Sequence, residues 1–355
     1  MQPAHSLKLN DQRSTVKAAV MIMVFVLIVI AGLTYVKWWP YYHKALTAAT
    51  AHSIGSSILS GANDGTWSWS SAWSYAEKYF KAIWKAAVLG ILLGSLVQVL
   101  LPAGWLHKVL GKASMRSTLL GGAASIPGMM CSCCAAPIAA SLRKKNVSVG
   151  ASLAFWIGNP VLNPATLIFM TFVLSWKFTL IRVLFGVLLT FGVSYWANRF
   201  ADRNADAVTE TKVLEPEMMP EQQQKPFLLR WLRALGSLAL QVIPAYIITV
   251  LLLGGLQGLI FPTSMSTGFI AIILFAAAGM LFVIPTAAEI PIIQSFLALG
   301  VGAGPAAALL LTLPAVSLPS LFMVAKSFPK KVLLFVALSV IGVGILSGIV
   351  GSLLL

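Results

Sequence analysis

Residues 126–164 read IPGMMCSCCAAPIAASLRKKNVSVGASLAFWIGNPVLNP, and this stretch decides how the rest of the chain is read. All three cysteines, Cys131, Cys133 and Cys134, fall within four positions of one another, between Pro127 and Pro137. Further on, Asn159-Pro160 and Asn163-Pro164 interrupt a second apolar run, and proline biases the residue before it away from helix. Backbone broken at membrane depth leaves N–H and C=O groups unpaired, which is tolerated only where protein or a water-filled cavity covers them. The stretch therefore reads as a candidate substrate site held within a membrane.

Working outward, the composition supports a membrane setting. The chain of 355 residues is 58% hydrophobic and only 10% charged, with a mean hydropathy of +0.88, far from a soluble domain. Several spans of roughly 20 residues fit its length. The net charge of +15 does not point to nucleic acid, because the basic residues flank apolar segments, where they anchor and orient helices. The three clustered cysteines do not have the spread of a disulfide framework.

Along the chain, Ala18 to Tyr35 is long enough to span and exceeds the apolar core of a secretory signal, so it is expected to be an anchor helix. Trp38 to Lys78 reads as a polar, aromatic loop whose tryptophans mark a membrane edge. Further spans are expected at about Tyr79 to Leu101, Val147 to Ser175, Phe178 to Ala197, within Phe227 to Ile260, Ala303 to Ala325, and Val332 to Leu355. Short apolar legs, Ser117 to Met130 with Cys134 to Leu142 and Gly268 to Ile284 with Ile290 to Leu299, read as two re-entrant hairpins. Arg199 to Pro226 holds six of the ten acids and reads as a solvated linker. The organisation is then an N-terminal helix and extracytoplasmic loop (1–75), a first repeat (76–198), a cytoplasmic linker (199–226) and a second repeat (227–355).

The halves align at one offset: Pro137, Ser141, Val147, Gly150 and Pro160 match Pro291, Ser295, Val301, Gly304 and Pro314 (314 − 160 = 154), and Asn163 then faces Ser317. Upstream the register slips, with Pro102 against Pro262 and Pro127 against Pro285. Three crossings per repeat turn the second copy upside down, and a cytoplasmic N-terminus puts Arg143 to Lys145, the linker, Lys326, Lys330 and Lys331 on the cytoplasmic side, as the positive-inside rule asks. The expected fold is an all-α polytopic membrane protein, an inverted repeat of transmembrane helices with two re-entrant or broken-helix hairpins plus an extra N-terminal helix.

Within that frame, Pro127, Pro137, Pro160, Pro164, Pro285, Pro291 and Pro314 are the expected helix breakers. Glu289 is an acid embedded in an apolar stretch, where a carboxylate costs about 2.5–3.5 kcal/mol on insertion scales. It is therefore expected to be protonated or to face a wet cavity, either of which suits proton coupling, or else to pair with a lysine or a backbone group at an interface. Cys131, Cys133 and Cys134 at a half-helix mouth suit a soft metal or trivalent metalloid. Asn159, Asn163 and Ser317 either cap broken helices or bind substrate. Inward-pointing helix ends would also bind an anion.

The run PGMMCSCCAAPIAASLRKKNVSVGASLAFWIGNPVLNP resembles the signature of the predicted permease family that includes YraQ and the organoarsenical efflux permease ArsP. The resemblance extends from about Tyr79 to the C-terminus. It implies an inner-membrane permease, in one branch extruding trivalent organoarsenicals through thiols. The family's cysteine motif corresponds to Cys131, Cys133 and Cys134, and its asparagine-proline motif to Asn159, Pro160, Asn163 and Pro164; the adjacent pair Cys133-Cys134 departs from the arrangement in ArsP.

The expected function is thus a non-enzymatic secondary exporter of a small thiol-reactive or anionic solute, of trivalent metalloid or organoarsenical type, with proton coupling at Glu289. Its partners are a small-molecule substrate and the lipid bilayer, with homo-oligomerisation left open and no cofactor. The rivals are a membrane thiol oxidoreductase using Cys133 and Cys134 and a transporter of a sulfur-containing oxyanion.

Overall fold

The computed structural model describes residues 4–59, 67–198, 201, 226–261 and 267–355. Every regular element among them is helical, and seven helices are long and apolar enough to cross a membrane. These are Ala18–Ala51, Trp69–Leu100, Val149–Val173, Trp176–Asn198, Phe227–Gly255, Ala303–Val324 and Lys330–Leu354, one for each span read from the sequence. The acidic linker, apart from Ala201 and Pro226, and Pro262 lie outside the described residues.

In chain order, α1 (Ala4–Leu33) runs through a π-helical turn, Thr34–Trp38, into α2 (Trp39–Ala51). Helix α3 (Trp69–Leu100) and the short α4 (Ala103–Leu110) lead to α5 (Met115–Ser125), a 3₁₀ turn at Ile126–Gly128, and α6 (Ser132–Lys144). The first broken span is α7 (Val149–Val161) and α8 (Pro164–Val173), followed by α9 (Trp176–Val187). Then come α10 (Phe227–Gly255), α11 (Gln257–Ile260), α12 (Phe269–Leu281), α13 (Glu289–Ala298), a second broken span α14 (Ala303–Ala315) and α15 (Leu318–Val324), and α16 (Lys330–Leu354).

The two halves share several local features. Helices α7 and α14 are 13 residues each, and both are followed by a capped break and a second half-helix. Asn163 Oδ1 accepts from the N–H groups of Ala165 and Thr166 at the head of α8. Ser317, its counterpart, forms a capping box with Ser320 at the head of α15, so each break satisfies its own orphan donors. The hairpin tips match as well: Met129 (φ 49°) and Ala287 (φ 70°) occupy the left-handed region two residues after Pro127 and Pro285. A non-glycine residue there is uncommon and costly, and it recurs at both tips, although the turns otherwise differ: Ile126–Gly128 is a 3₁₀ turn, whereas residues 282–285 have no regular structure.

Glycine lets the elements close up. A Cβ on Gly90 of α3 would run into the backbone carbonyl of Cys134 in α6, and one on Gly94 would press on the Pro137 backbone. Helix α3 therefore packs against the cysteine-bearing helix backbone to backbone.

Two expectations are corrected. Trp38 to Lys78 is not a loop throughout: the π turn carries the helix on to Ala51, and Pro40 sits in the first turn of α2, where its missing N–H costs little. Second, the seven prolines do not all break helices. Pro137, Pro160, Pro291 and Pro314 lie inside α6, α7, α13 and α14, whereas Pro127, Pro164 and Pro285 stand at the turns. A proline forfeits one i→i−4 bond, and at Pro314 another donor reaches the freed carbonyl, that of Leu310.

Candidate functional site: a buried junction between two hairpin tips and two broken helices

Cys131 is the N-cap of α6, and Ser132, Cys133 and Cys134 form its first turn. All three cysteines are buried and unbridged by disulfides. The Sγ atoms of Cys131 and Cys134 lie 2.8 Å apart, as expected for an N-cap residue and one a turn later on the same face. Cys133 points elsewhere: its Sγ is 3.2 Å from the hydroxyl of Ser317, which also lies 3.2 Å from that of Ser132. Cys134 Sγ is 3.8 Å from the Tyr246 hydroxyl of α10. The adjacent pair Cys133-Cys134 is therefore split between partners, and the close thiol pair is Cys131 with Cys134. The Trp156 indole N–H, fully buried on α7, donates to Ser132 O at 2.9 Å and fixes the head of α6.

Glu289 opens α13, at the point of the second hairpin that corresponds to the head of α6. Its partner is Arg182 of α9, whose Nη1 donates to Glu289 Oε1 at 2.8 Å, with both side chains shielded from solvent. The same guanidinium donates from Nη2 to Pro160 O at 2.8 Å, from Nε to Val161 O at 3.2 Å, and from Nη1 to Leu310 O at 3.5 Å. The chemistry of the breaks explains these targets. Pro164 and Pro314 lack the N–H that would have bonded Pro160 O and Leu310 O, and the N–H of Ala165 is taken by Asn163, which frees Val161 O. Arg182 thus gathers the carbonyls that both broken helices release and joins them to the acid on the second hairpin. Glu289 Oε2 is buried without a partner among the described residues, as are Asn159 Oδ1 and Asn163 Nδ2.

Asn159 is fully buried; its Nδ2 donates to Phe155 O at 2.9 Å, and its Oδ1 lies where a side chain on Gly128 would have to go. It therefore sits against the tip of the first hairpin. Asn163 and Ser317 act as caps, Ser317 also touching Ser132 and Cys133.

A small cavity lies at the junction, lined by Cys131, Ser132, Pro160, Pro314, Glu289 and the 284–287 tip. Its volume of about 10 Å³ is at the lower limit for a single water, so the junction is occluded. The tip residues Pro285, Thr286 and Ala287 also border a larger cavity of about 490 Å³ on the side of α2 and α3. The N-terminal helix holds both tips by adjacent residues: the Trp38 indole N–H donates to Pro127 O at 2.9 Å, and Lys37 Nζ donates to Thr286 Oγ1 at 3.1 Å.

Sequence reasoning missed Arg182 and Lys37. The signal for Arg182 was present, since a lone arginine within an apolar span is as costly as Glu289 and one buried charge calls for its opposite. Lys37 was hidden by the expectation that the helix ended at Tyr35.

The chain is therefore a multi-pass membrane protein whose polar residues converge on an occluded point where two inter-helix turns meet two broken helices. It belongs to the predicted permease family, whose model matches residues 123–353. Among its relatives is UPF0718 protein YraQ of Escherichia coli (strain K12), 49% identical over 91% of this chain and 92% of that protein. UPF0718 protein MJ0584 of Methanocaldococcus jannaschii is 25% identical over 63% of this chain and 79% of its own length. No solved structure matches.

Proposed function

We propose that this permease is a secondary exporter of a small thiol-reactive or anionic solute, resident in the cell inner membrane, and that cargo passes through the junction between the hairpin tips. The observation that carries the reading is the small cavity on which Cys131, Glu289, Pro160 and Pro314 meet. Soft thiols at the head of one half-helix and a carboxylate at the head of the other stand together at a point where both main spans are broken. Transporters built from inverted repeats bind cargo at such points. In this reading the two hairpins are re-entrant, the repeats are inverted, and Arg143 to Lys145 face the cytoplasm.

The occluded cavity requires that the tips separate for cargo to enter. A proton coupled to transport would be taken by Glu289 Oε2, which has no partner among the described residues, and would weaken the hold of Arg182 on Oε1. The experiment is flux in proteoliposomes against trivalent organoarsenicals, inorganic metalloids and sulfur oxyanions, with and without a pH gradient. The close Cys131 and Cys134 thiols favour a second reading, a membrane thiol oxidoreductase, for which flux would be absent while thiol oxidation and reduction of the protein would turn over.

A further inference from the structure

We infer that the cavity of about 490 Å³ between α2, α3 and the second hairpin tip is a binding site for the oxyanion head of a small organic solute. Its volume falls in the range of small-molecule sites. Three ammonium groups line it, Lys37, Lys44 and Lys78. Lys37 and Lys44 lie with Tyr41 at i, i+4 and i+7 along one helical stripe, and Lys78 comes from α3 on the facing side.

Lys37 is the informative residue. It is 5% exposed, and its ammonium donates only to neutral oxygens, Tyr41 Oη and Thr286 Oγ1, each at 3.1 Å. The two ion pairs among the described residues are Lys81 with Glu77 and Arg182 with Glu289, so none of the three cavity lysines has a carboxylate partner there. A buried cation is costly unless it is paired and hydrogen-bonded. Lys37 is the buried cation of the set, and Lys44 and Lys78 add two exposed ones to the same half-enclosed volume; with no carboxylate paired to any of them among the described residues, an anion would complete the site through charge-assisted bonds stronger than neutral ones.

The rest of the wall gives the ligand its second property. Ile54, Ile58 and Ile83 offer an apolar surface facing the lysines, which suits an organic body behind a charged head rather than a bare inorganic ion. All three lysines precede residue 123, where the family match begins, so the cationic wall of the site lies on the N-terminal elements, and a binding site there goes beyond the permease reading. It adjoins the junction through one turn of backbone. The floor is the tip Pro285–Ala288, and Thr286, to which Lys37 donates, borders both cavities.

The test is calorimetric titration of the purified full chain in phosphatidylcholine nanodiscs with phenylphosphonate, and with neutral benzyl alcohol as control. Lys44 and Lys78 are exposed, so the double variant Lys44→Gln/Lys78→Gln keeps its fold. Lys37→Gln is tested beside it. The expected result is saturable binding of phenylphosphonate but not of benzyl alcohol, weakened about tenfold or more in the double variant. Nanodiscs enriched in phosphatidylglycerol distinguish the source of the head group. A weaker apparent affinity there, seen in wild type and not in the double variant, assigns the site to lipid heads, and an unchanged affinity assigns it to soluble solutes. Equal binding by wild type and double variant, or no saturable binding of phenylphosphonate in either lipid, overturns the inference. Because the measurement needs no gradient, failure of proteoliposomes to move any solute would remove the transport reading and leave this one standing.

Discussion

Arg182 and Glu289 form an ion pair of 2.8 Å between α9 in the first half of the chain and the head of α13 in the second, with neither side chain reaching solvent. The pair is not isolated. The guanidinium also holds Pro160 O, Val161 O and Leu310 O, so one side chain closes both helix breaks and ties the second hairpin to them. Removing one partner of a buried pair costs about 3–5 kcal/mol, whereas replacing both by apolar residues is often neutral. Arg182→Met should therefore lower the Tm of the purified protein sharply. The double variant Arg182→Met/Glu289→Met should recover only part of the loss, because the three carbonyls remain unpaired. Thermal unfolding in one detergent checks this; full recovery would mean that the carbonyl bonds are dispensable.

Glu289→Gln should behave differently from Glu289→Met. Glutamine keeps the shape and can accept from Arg182, but it fixes a neutral side chain at the junction. The expected outcome is a folded protein that still binds cargo and whose flux no longer responds to an imposed pH gradient. Retained pH dependence in this variant would assign the carboxylate a purely structural role.

The cysteines divide by contact. Serine nearly matches cysteine in size but is a poor soft-metal ligand. The triple variant Cys131→Ser/Cys133→Ser/Cys134→Ser should shift Tm little and abolish transport of thiol-reactive cargo. Among single variants Cys131→Ser should be the most damaging, since Cys131 alone of the three lines the junction cavity. Unimpaired flux in the triple variant would return the cysteines to packing and favour an oxyanion cargo.

Gly90 makes a prediction about packing alone. Its Cβ would strike the Cys134 carbonyl, a backbone atom that cannot swing aside. Overpacking of this kind costs about 1–3 kcal/mol. Gly90→Ala should lower Tm by a corresponding amount and displace the head of α6, whereas Gly236→Ala, with open space around it, should not. Equal Tm values for the two variants would refute the backbone contact between α3 and α6.

Much of this arrangement was legible in the sequence because membrane helices are marked by length and apolarity, which do not depend on tertiary context. The seven spans follow from that signal. The match of Asn163 to Ser317 followed from proline spacing, and the two residues do cap equivalent half-helices. Less legible was which prolines end a helix. Pro314 lies inside α14, and Arg182, remote in sequence, reaches a carbonyl it frees; no local signal reveals a donor more than a hundred residues away. Arg182 itself stands in plain view in a span, but nothing near it in sequence names its partner, Glu289. The continuation of the first helix to Ala51 was obscured by the polar and aromatic residues after Tyr35, among them Lys37, whose partner Thr286 lies on the second hairpin.

The most direct test of the central claim, that cargo passes through the junction between the hairpin tips, is efflux from proteoliposomes containing wild type, Cys131→Ser or Glu289→Gln, each first shown to be folded by its Tm. The account predicts that wild type moves at least one trivalent organoarsenical, metalloid or sulfur oxyanion above protein-free vesicles, and that substitution at the junction reduces that flux. Flux by wild type that both variants leave unchanged would contradict it.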